Sequence, residues 1–227
     1  MSTPSKPLKV LYHAHPHLDT LDFTGPLEIL SHAAHLSSTP PQKAFTHTIT
    51  AVSQLITTNQ GLTFQRDIPV SEAYSKLADF DILVIPGGGS PGVLEGKTEP
   101  LGLIKTFVSL PKKADGSIRI LFSVCTGSLF LAETGVLDGK TATTHPNYYG
   151  KLREIVQSRG EGRTTVVEER FVVNRTDVEK GLRIITAGGV SSGIDAALWL
   201  VGDLVGKESK EKVEAIVQHA HRTGVVL

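Results

Sequence analysis

The sequence predicts an α/β protein: an open, mostly parallel central sheet with helices on both faces, a three-layer α/β/α sandwich. Three observations predict it. Strand-like apolar runs alternate with segments of helical periodicity along most of the chain, the pattern of repeated βαβ units. The run 80-FDILVIPGGG-89 is continuously apolar from Ile82, as strands buried on both faces are, and 118-IRILFSV-124 is a second, largely apolar run. The 227 residues, 40% apolar and 20% charged, suit one domain that buries a large core unaided. That domain is expected to span 1–227, with its core at about 8–206 and a closing helix at 207–220.

The elements follow in order. The run 8-LKVLYHA-14 reads as a buried strand. In 26-PLEILSHAAHL-36, Leu27, Leu30, Ala33 and Ala34 share a helical face, with Pro26 suited to a first turn and Thr24 or Asp22 to a cap. Alternation in 45-FTHTITAVS-53 gives a strand, and 55-LITTNQGLTFQRD-67 reads as a hairpin around Asn59, Gln60 and Gly61. A short helix at 71–77 precedes the 80–89 strand, and helix 100–110 precedes the 118–124 strand. Residues 163–177 read as an irregular or antiparallel excursion. Strand 183–189 leads into helix 191–206, and an amphipathic helix covers 208–220.

Composition narrows the function. Net charge is zero and the pI is near 7.1, so there is no electrostatic footprint for nucleic acid or an anionic membrane. One cysteine forms no internal disulfide, which fits a reducing compartment. The polar start 1-MSTPSKPLKV-10 lacks an apolar signal core, and 196-AALWLVG-202 is too short to span a bilayer. A cytoplasmic location is expected.

The single cysteine, Cys125, stands between the 118–124 strand and the helix-like 127-GSLFLAETG-135. Catalytic groups of open α/β sheets gather just past the carboxyl ends of strands. The small residues Thr126, Gly127 and Ser128 permit a sharp strand-to-helix turn, which lifts a side chain clear of the sheet. Free N–H groups at a helix start stabilise a thiolate, so the Cys125 pKa is expected to fall below about 8.5. The competing reading makes Cys125 a small core hydrophobe. The turns 86-PGGG-89, 19-DTLDFTGP-26 and 187-AGGVSSGID-195 also follow strands and should converge on the same rim.

Together, 22-DFTGPLEIL-30, 85-IPGGG-89, 122-FSVCTGSLFLAETGVLDGKTATTH-145 and 186-TAGGVSSGIDAALWLVGDLVG-206 resemble the ThiJ/PfpI superfamily, a class I glutamine-amidotransferase-like group. Within it they are most similar to isocyanide (isonitrile) hydratases. The resemblance implies a flavodoxin-like fold, a homodimer and a small-molecule substrate. It implies that Cys125 is the nucleophile and Asp22 its acidic partner, where other branches supply Glu. Thr126 would sit beside the nucleophile, and Gly88 and Gly89 would offer backbone N–H groups to the substrate.

The implied reaction is hydration of an isocyanide to an N-formamide, which makes the protein a lyase. The Cys125 thiolate attacks the isocyanide carbon to give a thioimidate; Asp22 supplies a proton and then activates water. No metal and no organic cofactor is expected. The rivals are a glyoxalase-type conversion of methylglyoxal to lactate on the same sulfur, and a non-enzymatic redox sensor in which Cys125 is oxidised. A sensory domain of an AraC-type regulator would need a further helix-turn-helix domain.

Other candidates are weighed against plainer roles. Asp22 can serve as an N-cap alone, and Asp19 has no match to the motif. His145 is placed near the substrate, though a hydrogen-bonded structural histidine is the commoner role. The protease branch puts a histidine directly after the cysteine, where this chain has Thr126, and Pro146 departs from the aromatic residue of the hydratase pattern. In 13-HAHPH-17, His13 and His15 share a strand face, but the three histidines find no clear fourth ligand for zinc; His15 and His17, which follow the first strand, are expected to line the pocket mouth instead. Asp195 suits the start of the last long helix, and Trp199 suits core or dimer surface.

Overall fold

The computed structural model describes residues 6–37, 39–159 and 163–227. Positions 1–5 of the polar N-terminal run lie outside them. Strand β1 (Leu8–His13) leads into helix α1 (Thr20–His32), and then come β2 (Ala34–His35), β3 (Gln42–Lys43) and β4 (Phe45–Ala51). Next are β5 (Leu55–Thr57), β6 (Thr63–Gln65), β7 (Ile68–Pro69), α2 (Val70–Lys76), β8 (Ile82–Ile85), α3 (Ser90–Gly96) and α4 (Leu101–Val108). β9 (Arg119–Val124), α5 (Gly127–Thr134), β10 (Thr141–Ala142), α6 (Tyr149–Ser158), β11 (Thr165–Val166) and β12 (Phe171–Val173) follow. β13 (Leu182–Ala187), α7 (Ser192–Leu204), α8 (Lys207–Val217) and β14 (Val225–Val226) complete the order.

The central sheet has eight strands in the order β14-β12-β13-β9-β8-β1-β4-β7. It is parallel from β7 through β13; β12 runs antiparallel to β13, and β14 runs with β12. Side chains alternate between two cores, as a pleated strand requires. Val10, Tyr12, Val84 and Phe122 face α1, α7 and α8. Leu11, Leu83, Ile85 and Leu121 face α2, α4, α5 and α6. From β1 the sheet grows one way through β4 and the other way through β8 and β9. The order therefore reverses between β1 and β8, and a crevice opens at the carboxyl ends of those strands.

The α/β/α sandwich read from the sequence is the observed fold. Differences lie where tertiary contacts outweigh local signals. α1 starts at Thr20, six residues before Pro26, which sits inside the helix. Its first turn carries Asp22 and Phe23 into the interior, and that burial sets the start. α6 has no counterpart in the sequence reading, because its apolar face is only Leu152, Ile155 and Val156 among polar neighbours. The 55–67 hairpin forms as β5 and β6. The 163–177 excursion supplies β11, paired parallel to β10, and the antiparallel strand β12.

The C-terminal residues return to the sheet edge as β14, with Leu227 N–H donating to Val173 O at 3.0 Å. Asp195 anchors that return. It is fully buried; it accepts from Arg170 Nε at 2.6 Å and Arg222 N–H at 2.8 Å, and it pairs with His219 Nε2 at 2.8 Å. Burial pushes its carboxyl up, but these hydrogen bonds more than offset that and hold it below its usual range. Asp195 thus fastens α7 to the chain end, the plainer of the roles weighed for it. Trp199 is partly buried against the core, with the Arg183 guanidinium 5.8 Å from its ring centre. No helix among the described residues is long and apolar enough to cross a membrane.

Candidate active site

Four loops at the carboxyl ends of β1, β8, β9 and β13 build the site, and Cys125 is its centre. The chain turns from β9 into α5 at Cys125 with φ 58°, a left-handed conformation that costs a non-glycine residue about 1–3 kcal/mol. The surroundings enforce it. Cys125 N–H is shared between Ala187 O at 3.0 Å and Gly188 O at 2.8 Å. Its carbonyl accepts from Ser128 Oγ at 3.1 Å and Thr144 Oγ1 at 3.0 Å. The 122–128 and 141–145 motifs and the glycine turn after β13 are therefore one clamp on one backbone. Gly127 must lack a side chain, because a Cβ there would lie 2.4 Å from Ile85 O at the end of β8.

Asp22 meets this turn from α1. It is 0% exposed and Cys125 2% exposed. A carboxyl oxygen of Asp22, one of Asp19 and the Cys125 sulfur all lie within 4.8 Å of one another. Asp22 Oδ2 accepts Gly87 N–H at 3.2 Å, while Oδ1 is buried without a fixed protein partner. The Cys125 sulfur lies within 4.8 Å of one oxygen of this carboxyl. Asp22 is thus no N-cap: it lies inside the helix, and the capping position belongs to Asp19.

The electrostatics differ from the sequence expectation. Burial, then the charge of Asp19, raises the Asp22 carboxyl to about 8, although the contact with Cys125 and the Gly87 N–H pull the other way. Burial and the Asp22 carboxylate push the Cys125 thiol up to about 12, despite backbone N–H groups of Val190 and Thr126 directed at it. The helix-start N–H groups anticipated from the sequence are present, but desolvation outweighs them. The thiol is consequently raised, not lowered, and the two groups titrate as a pair.

The glycine loop after β8 is held from both sides. Gly88 has φ 81°, and a Cβ there would sit 2.4 Å from the Asp19 nitrogen. Its N–H, expected to face the substrate, instead donates to Thr126 Oγ1 at 2.9 Å. Its carbonyl is paired with His15 Nε2 at 2.8 Å. Thr126, next to Cys125, thus braces the loop that carries Gly87. Gly89, at φ 54°, opens α3 with its backbone against Pro16 O.

The histidines divide. The His13 and His15 rings stack 6.2 Å apart, and both are buried. Burial lowers His13 to about 3 and His15 to about 4, so both are neutral. Neither joins the Asp19, Asp22 and Cys125 cluster; His15 acts as a brace for the glycine loop. His17 is exposed at the rim. His145 accepts Asn147 N–H on Nδ1 at 3.2 Å, capping a short 3₁₀ turn, and its ring lies against Gly189.

The sequence reading places Gly87 and Val190 only within turns expected at the rim, and it sets Asp19 aside for want of a motif match. The first two act through backbone N–H groups, which no side-chain pattern advertises. Asp19 stands three residues before Asp22, one helical turn away, a spacing that carries meaning only once α1 is known to start at Thr20.

The open α/β sheet thus turns into a helix through a left-handed cysteine, with a buried carboxyl close to its sulfur. Residues 8–202 match the model of the DJ-1/PfpI family, and the chain belongs to that family. It is 27% identical to isonitrile hydratase of Pseudomonas putida over 213 residues, 94% of this chain and 79% of that protein. Among solved structures it is similar to a ThiJ/PfpI family protein from Pseudomonas syringae. The TM-score is 0.71 at 22% identity, over 96% of this chain and 77% of the other. It is also similar to Drosophila melanogaster DJ-1beta, with a TM-score of 0.70 at 19% identity, over 95% and 100% of the two chains. Both likenesses bear on the fold, which is flavodoxin-like.

Proposed function

We propose that the protein hydrates isocyanides to N-formamides, with Cys125 as nucleophile and Asp22 as the acid and base. The observation that carries this reading is the buried Asp22 carboxyl against the Cys125 sulfur. The similarity to an isonitrile hydratase supports it. With Asp22 raised to about 8 and Cys125 to about 12, the carboxyl ionises first; the carboxylate then takes the thiol proton, so the reacting form is the carboxylic acid with the negative charge on sulfur. The thiolate adds to the isocyanide carbon while Asp22 delivers its proton to that carbon, giving R–N=CH–S–Cys125. The Asp22 carboxylate then takes a proton from water as the oxygen bonds to the same carbon, and passes that proton to nitrogen. Collapse of R–NH–CH(OH)–S–Cys125 breaks the C–S bond. The hydroxyl proton returns to Asp22, and the formamide leaves with the pair restored. Water and two side chains balance every atom. Thr126 Oγ and the backbone at Gly89 and Gly189, beside His145, are the groups proposed to meet the substrate, and a homodimer in the cytoplasm is the proposed setting.

Burial speaks against the sensor reading, since redox-sensing cysteines are exposed and low in pKa. A panel of alkyl and aryl isocyanides beside methylglyoxal tests the proposal. The expected product is formamide from isocyanide, with turnover rising as pH passes through about 8, where the pair loses its first proton. Lactate from methylglyoxal with no formamide would replace the proposal by the glyoxalase reading.

A further inference from the structure

We infer that the groove between α3, α5 and α6 receives the nitrogen substituent of the isocyanide, and that this substituent is an uncharged, ring-sized apolar group. The inference rests on the reading of Cys125 as the nucleophile of isocyanide hydration; it adds the substrate class and the residues that select it.

The groove encloses about 530 Å³, a volume within the range of small-molecule sites. Its place in the fold ties it to the cysteine. α5 starts just after Cys125, and Leu129 and Glu133 on one face of that helix line the groove. Leu129 stands one helical turn beyond Cys125, about 6 Å along the axis. One wall begins at Ser90, the residue after Gly89. The other begins at Asn147 and Tyr148, and the Tyr148 ring meets the His145 ring edge to face, with centres 6.0 Å apart. His145 in turn lies against Gly189, next to the Gly188 carbonyl that accepts Cys125 N–H. The backbone proposed to meet the isocyanide, at Gly89 and at Gly189, therefore flanks the inner end of the groove.

The lining suits a neutral apolar group. Leu129 and Ile155 belong to the buried core and form the floor; Leu94 is partly buried against that core, and Tyr148 is 36% exposed. Both lysines of the lining are committed, Lys97 to Glu133 at 2.7 Å and Lys151 to Glu154 at 2.9 Å. No cation is left to draw an anion. A methyl substituent would leave most of the groove to water, whereas a ring would cover Leu94, Leu129 and Tyr148 together and remove their apolar surface from it. A larger cavity, of about 700 Å³, is no rival for this role. Leu8, Asp81 and Arg119 line it, at the amino-terminal ends of β1, β8 and β9, the sheet edge opposite Cys125.

Two measurements test this. Benzyl and methyl isocyanide serve as the pair of substrates, because both carry a saturated carbon on nitrogen and differ chiefly in the ring. First, N-benzylformamide is added to the wild-type protein and the methyl groups are followed by NMR. Shifts concentrated at Leu94, Leu129 and Ile155 are expected, and N-methylformamide at the same concentration should leave them in place. Benzylformamide that moves none of these methyls, or moves others instead, would overturn the inference. Second, kcat/KM should be higher for benzyl than for methyl isocyanide by on the order of 100-fold. Tyr148→Ala should raise KM for benzyl isocyanide roughly fivefold to tenfold with kcat little changed, and should leave methyl isocyanide kinetics as they are. Leu94→Ala should act in the same sense. An equal loss with both substrates would mark these residues as structural supports and overturn the inference. Binding needs no turnover: benzylformamide seated in the groove of a protein that hydrates no isocyanide would end the reaction reading and keep the site, and hydration without groove binding would do the reverse.

Discussion

The Cys125→Ala protein is expected to produce no formamide from any isocyanide while keeping the wild-type fold and melting behaviour. The loss follows from the covalent path. Without sulfur there is no thioimidate, and the Asp22 carboxyl alone has no group to activate for attack on the isocyanide carbon. The fold should persist because Cys125 is held by its backbone. Its N–H and carbonyl make four hydrogen bonds, to Ala187, Gly188, Ser128 and Thr144, and alanine retains all four. The left-handed φ of 58° is strained for alanine as for cysteine, so the substitution adds little on that account. Circular dichroism and a melting curve alongside the assay separate lost chemistry from lost structure. Residual turnover near the wild-type rate would remove Cys125 from the mechanism.

Asp22→Asn is expected to reduce turnover by on the order of 100-fold or more, the range for loss of a placed general acid–base. It is also expected to raise stability at alkaline pH. The folded Asp22 pKa, about 8, lies above its ordinary value of 3.8. Between those values the folded state binds a proton that the unfolded chain has released, so stability falls as pH rises through that window. The full penalty applies above about pH 8, and it vanishes below the unfolded pKa. Asparagine keeps an acceptor for the Gly87 N–H and carries no ionisable group. The melting temperature of Asp22→Asn should therefore exceed that of the wild type at pH 8 and converge on it near pH 4. Stability given up at a working site is the usual trade. A variant that is less stable at pH 8 and still active would show Asp22 to be only a structural carboxyl.

Much of this arrangement is legible in the chain. Strands β8 and β9 announce themselves because strands covered on both faces need continuous apolar runs, and Cys125 is found where one such run meets small residues. The association of Asp22 with that cysteine is carried by motif, not by spacing, since 103 positions separate them. What stays hidden depends on contacts distant in sequence. The direction of the Cys125 pKa turns on how completely the loops around Gly87 and Val190 enclose the sulfur, and no local pattern encodes enclosure. The partner of the Gly88 N–H is hidden for the same reason: Thr126 is a small turn residue in the sequence and a brace only in the fold. Asp19 matches no motif, and Pro26, which marks a helix start by its usual habit, hides that α1 begins at Thr20, directly after Asp19.

The covalent step itself can be observed. Acid-quenched samples taken in the first turnovers of an aryl isocyanide, digested and weighed by mass spectrometry, should contain the Cys125 peptide heavier by the whole mass of one isocyanide. The wild type should show that peptide and Cys125→Ala should not. Formamide accumulating while the Cys125 peptide stays unmodified at every time point, or the added mass on another residue, would contradict the account.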